Sequence, residues 1–435
     1  MGVVVVFGVS CRSLRLVTLL VVVLVSSLFV YVVIDSAIGV SLDSAIQVKN
    51  EDELKNAINN APTNRSAVIT ITNDITLTHC SYTSINSYSS TLIIPANKDI
   101  TLTGKSENGF YKLIGAVDTC TIVVEGGGVL RLDGVSVTHK NGVTGCGVYI
   151  MHGGGMLYLY NGEISGNIAD NATFSGGGVI ISNSGTFVMS GGKITDNIAD
   201  KDGGGVDNYG TFIMSGGEIS GNTAGSCGGG VHLYYPSNFT MSGGTISGNI
   251  ANFGGGVSII YGGFTLSGGT ISGNIAFKQG GGVYNAGPDP FVMSDGMISS
   301  NSAEEGGGVY HKYDVFTMSG GEITGNTATL GGGVYNNYVF NRQGGVISDN
   351  TAANKGNNVY PGDNGNSSDG NDNSPNDGSS YGSSNPSDEN GSSSKGDSGQ
   401  FVWGFGVVDV LVICVVNFVT ISVAIFVLFS YFKKR

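Results

Sequence analysis

GGGVDNYGTFIMSGGEISGNTAGSC, residues 203–227, is the stretch whose reading decides the fold. Val206, the Phe212/Met214 pair and Ile219 are its three apolar bursts, separated by Gly, Ser and Asn. Phe212 and Met214 stand two residues apart, the spacing of a strand with one buried face. No 3.6-residue period runs through the segment, and this much glycine would unwind a helix. Three short strands joined by tight bends are therefore expected, not a helical or leucine-rich unit.

The same segment recurs along the chain. Gly-Gly-Gly-Val begins at Gly176, Gly203, Gly228, Gly254, Gly280, Gly306 and Gly331, with variants at Gly145-Cys146-Gly147-Val148 and Gly356-Asn357-Asn358-Val359. From Gly203 onward the spacing is 25 or 26 residues. A fixed period of this length means one supersecondary unit per repeat, each stacked on its neighbours. The 73 glycines do not fall on every third residue, so collagen is excluded. The expected fold is all-β: a right-handed, single-stranded parallel β-helix with three short strands per coil and coils of about 26 residues.

Matching positions then form columns spaced by the interstrand distance of about 4.8 Å. Phe-x-Met pairs recur at Phe187/Met189, Phe212/Met214, Phe239/Met241, Phe264/Leu266, Phe291/Met293 and Phe316/Met318. Isoleucine recurs at Ile164, Ile194, Ile219, Ile246, Ile271, Ile298, Ile323 and Ile347, and three residues after each comes an asparagine: Asn167, Asn197, Asn222, Asn249, Asn274, Asn301, Asn326 and Asn350. The apolar columns fill the core, and the asparagine column is expected to form a side-chain amide ladder at a bend.

The Gly-Gly-Gly-Val, Phe-Thr-Met-Ser-Gly-Gly and Ile-Ser-Gly-Asn-Thr-Ala units resemble those of adhesin-like surface proteins with pectin-lyase-type β-helices. They are also similar to the repeats of polymorphic outer-membrane proteins. The resemblance covers about residues 145–360. It implies a β-helical fold and a surface role, and it leaves open an enzyme that cleaves acidic polysaccharides. Those outer-membrane proteins end in a β-barrel, whereas this chain ends in an apolar run and a basic tail, which speaks against autotransport.

Outside the repeats, residues 1–39 carry Arg12 and Arg15 and then an apolar run from Leu16 to Ile34, the layout of a signal peptide or signal anchor. Residues 40–144 are expected to hold an N-terminal cap and irregular opening coils. Asn50 stands three residues before Glu53, a helix-start signature, and Leu54, Ala57 and Ile58 share one face up to Pro62. Residues 145–360 are the regular coils. Residues 361–400 turn to Ser, Gly, Asn, Asp and Pro, a composition that cannot bury enough apolar surface to fold and is expected to serve as a disordered stalk. Within 401–435, Val410–Tyr431 is apolar enough to cross a bilayer as a helix, followed by Lys433-Lys434-Arg435 on the cytoplasmic side. The expected location is the cell surface, as a single-pass membrane protein with an extracellular body and a cytoplasmic C-terminus.

Residues 40–400 hold 15 of the 20 basic and 31 of the 33 acidic residues, a net charge of −16. That balance argues against nucleic acid and anionic lipid as partners. Cys80, Cys120, Cys146 and Cys227 lie between the apolar ends, with no C-x-x-C and no paired histidines, so no zinc site is expected. A disulfide between Cys80 and Cys120 is one option in an oxidising compartment. Sequons stand at Asn64, Asn171, Asn238, Asn366 and Asn390.

Chemistry is harder to find. The outward site before each isoleucine does not stack acids, so no calcium cage or acid–base pair emerges. Asp196, Asp200, Asp202 and Asp207 form the densest acidic group, and the five histidines sit in unlike contexts. No catalytic residue, metal site or cofactor is expected. The residue after the repeat valine is tyrosine at Tyr149, Tyr284, Tyr310, Tyr335 and Tyr360. If that valine points inward, the last four form an outward stripe whose rings can stack on sugars; the alternative is that they only brace the sheet. The chain thus reads as a surface-display or adhesin-like protein that binds extracellular glycans or surface proteins. The alternative is a membrane-tethered polysaccharide lyase or hydrolase working from the irregular N-terminal coils. A third reading is an envelope component with no ligand.

Overall fold

The structure, a computed structural model, describes residues 46–361 except 64, 83–88, 108 and 171–174, with side chains omitted at 81–90. It also gives the backbone of Val3–Phe7, Leu19–Val23 and Val30–Ile34, which pair as an antiparallel sheet. The expectations for the rest of residues 1–39, for the stalk and for the Val410–Tyr431 span lie outside the described residues. Among the described residues no helix is long and apolar enough to cross a membrane.

The chain winds into a parallel β-solenoid of about 12 turns, each of about 26 residues in the regular part. A coil there contributes up to four strand segments, one more than the apolar bursts announce, and in some coils the middle two run together, as in Asn238–Ser247 and Gly263–Ser272. In the coil that begins at Gly203 the four are Val206–Asn208, Thr211–Met214, Glu218–Ser220 and Thr223–Ala224. The first joins a 12-stranded sheet, here the valine sheet; the next two join a 19-stranded sheet; the last joins a five-stranded one. Ala224 and its column mates Ala199, Ala251 and Ala276 are buried. A lone alanine gives no hydrophobic burst, which is why the fourth strand escapes a reading based on large side chains.

Stacking is in register. Val206 pairs with Val231, Phe212 with Phe239, Met214 with Met241, and Ile219 with Ile246. Seven phenylalanines from Phe187 to Phe340 stack face to face, with centroids from 4.5 Å (Phe291–Phe316) to 5.1 Å (Phe264–Phe291) apart. All are essentially fully buried. Each such ring contributes about 1.5–3 kcal/mol through removal from water.

The asparagine column is buried beside the isoleucines. Asn222 donates from its backbone N–H and from Nδ2 to Asn249 Oδ1, both at 2.9 Å, and its Nδ2 also reaches the Ile194 carbonyl at 2.9 Å. Its Oδ1 accepts from the N–H and Nδ2 of Asn197, both at 3.0 Å. The pattern repeats coil after coil, so every amide is satisfied although it is sealed from water. Gly221, with φ of 65°, supplies the left-handed residue that turns the chain into the column.

The glycine triplet has two separate causes. Gly228 adopts φ of 66°. A Cβ on Gly230 would lie 2.6 Å from the Gly256 carbonyl and 2.8 Å from Ile246, so the next coil could not approach.

Both ends of the described solenoid are closed. Helix α1, Glu51–Asn60, is capped by Asn50, whose side chain accepts from the Glu53 N–H at 2.9 Å. Leu54, Ala57 and Ile58 are buried where α1 lies against Ile46–Val48, Ala67–Ile71 and Ile75–Leu77. The Glu51 carboxylate ties α1 down, accepting from the N–H groups of Thr78 (2.9 Å) and His79 (3.0 Å) and pairing with Lys55 at 2.8 Å. Burial alone would raise its pKa; Lys55 and the Thr78 and His79 donors outweigh it, and the group titrates at about 2. At the far end Asn357 and Asn358 replace two glycines of the triplet. Asn358 Oδ1 accepts from Asn350 Nδ2 at 3.1 Å, and Asn357 Oδ1 from the Ala352 N–H at 2.9 Å. These side chains take bonds that a further coil would otherwise supply.

The disulfide differs from the sequence option. Cys120 is joined to Cys146, with Cα atoms 4.4 Å apart, and Cys80 is free and exposed. Register explains the change. Ile122 pairs with Val148, which sets Cys120 beside Cys146; the partner of Cys120 on its other side is Ser90.

Two predictions follow from these bonds. Asn274→Ala removes the acceptor of the Asn249 N–H and Nδ2, and with it the Nδ2 that donates to Asn301 Oδ1 and the Ile246 carbonyl; it is expected to cost about 3 kcal/mol or more, read as a lower urea midpoint. Glu51→Gln is destabilising at neutral pH. Because the folded pKa lies below the ordinary carboxyl value of 4.5, the wild-type advantage is full above that pH and closes as pH falls toward about 2. Urea titrations of both proteins across that range check it.

Candidate functional site

The tyrosines that follow the repeat valine lie in register, Tyr284 beside Tyr310, then Tyr335, then Tyr360. The first three rings stack and Tyr360 is tilted on Tyr335, with centroids 5.5, 5.1 and 5.2 Å apart. Tyr284 and Tyr310 are only 8% and 4% exposed, and Tyr335 and Tyr360 are half-buried. The cause is a cover over the outer face of the valine sheet. The segments that precede each glycine triplet form their own parallel ladder through Cys227, Phe253, Gln279, Glu305, Leu330 and Lys355. Phe253 packs on Tyr284 at 5.2 Å, and burial pushes the Tyr284 hydroxyl up to about 12.

In earlier coils the same column reads Ile180, Asp207, His232 and Ser258. Asp207 Oδ1 meets His232 Nδ1 at 2.8 Å, both side chains being almost wholly buried, and Ser175 Oγ donates to Asp207 Oδ2. Burial disfavours the imidazolium, but the hydrogen bond and charge of Asp207 outweigh it and raise the His232 pKa. The sequence gives no adjacent pair here, because the partners lie 25 residues apart. Reading down the column, not along the chain, would have found it. Next in the column, Ser258 Oγ lies close to the Cys227 thiol without a well-formed hydrogen bond. Burial raises the Cys227 pKa, which keeps the sulfur a thiol and a poor nucleophile. These groups brace the sheet under its cover.

The four aspartates grouped by sequence do not converge. Asp207 is buried on His232, Asp202 accepts from the Cys227 N–H at 3.0 Å, and Asp196 and Asp200 are exposed. Among the described residues no three His, Cys, Asp or Glu side chains are grouped to hold a metal ion.

A second row of tyrosines does reach solvent. It lies at the corner where the chain leaves the valine sheet, three or four residues after the repeat valine: Tyr209, Tyr234, Tyr261, Tyr313 and Tyr338, with Tyr235 alongside. Tyr234, Tyr261, Tyr313 and Tyr338 are 40–50% exposed and Tyr235 is 68% exposed. Tyr234 and Tyr261 meet edge to face at 5.4 Å, and Tyr209 lies 5.8 Å from Tyr234. Tyr234, Tyr235, Tyr261, Pro288 and Asp289 line an open cleft of about 460 Å³. Asp289 Oδ2 accepts from the Gly262 N–H at 2.7 Å, which fixes the carboxylate at the rim. The turns vary in length between coils, so a reading at fixed offset from the valine passes over this row.

Comparison with family models, with curated proteins and with solved structures finds no match to this chain.

The two tyrosine rows should separate in a stability experiment. Tyr310→Ser removes a buried, doubly stacked ring and is expected to cost about 2–4 kcal/mol. Tyr261→Ser acts at a half-exposed edge and should cost about 1 kcal/mol or less. Urea unfolding of each variant measures the difference.

Proposed function

We propose that this chain is a membrane-anchored cell-surface protein whose solenoid binds carbohydrate at the exposed tyrosine corner. One observation carries the reading: tyrosines from successive coils stand half-exposed in a row, held by an in-register sheet, around an open cleft with a fixed carboxylate. Flat rings on a rigid support offer apolar faces to sugar C–H groups at little entropic cost, while phenol and carboxylate oxygens meet sugar hydroxyls. In this reading the stripe Tyr284, Tyr310, Tyr335 and Tyr360 is the inner brace of the site, since the first two rings are covered. The Val410–Tyr431 run with its basic tail supports the anchor, and residues 361–400 the stalk. Right-handed winding is the hand that parallel crossovers overwhelmingly adopt, and it belongs to the same proposal. An adhesin-like role at the cell surface follows from a stiff body carrying a ligand-binding edge.

The test is binding of the full chain, held in detergent micelles, to a glycan array. Tyr234→Ala combined with Tyr261→Ala is expected to weaken the retained glycans by about 10- to 100-fold, at about 0.5–1.5 kcal/mol per lost ring contact. Equal binding by wild type and variant, or no glycan retained by wild type, overturns the proposal.

A further inference from the structure

We infer that the ligand of the tyrosine corner is a linear, uncharged or amine-bearing hexose polymer lying parallel to the solenoid axis, one sugar ring to each coil. The inference rests on the carbohydrate reading above and adds the class and direction of the ligand.

Direction comes from register. The strands that precede the corner pair residue for residue from Val206 through Val231, Val257, Val283 and Val309 to Val334. The corner residues therefore climb the stack one coil at a time, at about 4.8 Å per coil. That rise is close to the length of one pyranose in an extended 1,4-linked chain. A polymer laid along the row keeps step with the protein over several coils, whereas one laid across it would touch a single ring. The row keeps a ring in every coil: where one coil lacks a tyrosine, exposed Pro288 takes its place beside Tyr261 in the cleft. A cleft of about 460 Å³ is large enough for more than one sugar ring and is open to solvent.

Class comes from charge. Asp289 is the one charged residue lining the cleft. Its Oδ2 is held by Gly262, which leaves Oδ1 to accept from a hydroxyl or an ammonium group. In the neighbouring coil the Lys312 ammonium lies over the Tyr313 ring at 5.0 Å, outside the cleft lining. A uronate or sulfated polymer would set its charges against Asp289 and against a body of net charge −16. Like charges in a partly desolvated cleft are costly. A neutral chain avoids that cost, and an amino sugar gains from it.

The experiment measures binding of the full chain in detergent micelles to three sets of oligosaccharides of increasing length: cello-oligosaccharides, chitosan oligosaccharides and oligogalacturonates. Affinity is expected to rise with each sugar up to about six, the number of coils in the row, and the neutral and amino series should bind at least about tenfold tighter than the uronate series. Asp289→Asn should weaken the chitosan series more than the cello series and so remove the preference between them; an undiminished preference overturns the role of the carboxylate. Affinity that stops rising at the disaccharide overturns the axial arrangement. Tighter binding of oligogalacturonates, lost in the Tyr234→Ala/Tyr261→Ala variant, overturns the charge class but leaves the carbohydrate reading standing. Retention of none of the three series, with none on the array, overturns both.

Discussion

The structure depends on a row of amides that have no access to water. A buried asparagine leaves several polar atoms without solvent, and each unmet atom costs about 1–3 kcal/mol. Here most of the relief lies one coil away, because Asn222 Oδ1, like its column mates, receives two donors from the preceding coil. A slip of a single coil by one residue would orphan the amides on both sides and move the neighbouring phenylalanine out of its stack. The hydrogen bonds are therefore worth more as a register lock than as a sum of pair energies. The column also has defined ends. His139 Nδ1 meets Asn167 Oδ1 at 2.8 Å at the first coil, and Asn358 receives Asn350 at the last.

Once register is fixed from inside, the outer positions are free to vary without disturbing the winding. Position by position, the chain uses that freedom twice. Immediately after the repeat valine the side chains are covered by the ladder running from Cys227 to Lys355, and the residues there are chosen for packing: stacked tyrosines in the later coils, the Asp207–His232 pair in the earlier ones. A few residues further on, past the corner, nothing described covers the chain, and the tyrosines there remain open. The same residue type is thus a brace in one column and a candidate contact in the next.

Much of this is legible in the sequence because the repeat is nearly perfect where it carries the core. Phe212, Met214, Ile219 and Asn222 announce their columns by type and spacing, and the columns are where they should be. The Asn50–Glu53 cap is equally local and equally readable. What escapes is set by contacts between turns of unequal length. Ala224 is too small to signal a strand. Cys120 finds Cys146 through the register of Ile122 with Val148, which no count of spacings reveals. Tyr310 points away from the core as strand parity requires, yet it is buried, because parity says nothing about a connecting segment that folds back over the sheet. The exposed row at Tyr234, Tyr261, Tyr313 and Tyr338 hides for a similar reason, its offset from the valine changing by one between coils.

In-register stacking of successive coils can be tested directly by disulfide trapping. Thr240 and Thr265 face outward on neighbouring coils and are direct partners in the sheet, the relation already held by Cys120 and Cys146. In the full chain, Thr240→Cys with Thr265→Cys should oxidise to an intramolecular disulfide, mapped by mass spectrometry of the peptides. Thr240→Cys with Ser267→Cys, displaced by two residues along the strand, should not. Equal trapping of both pairs, or trapping of the displaced pair alone, would contradict the winding on which everything else rests.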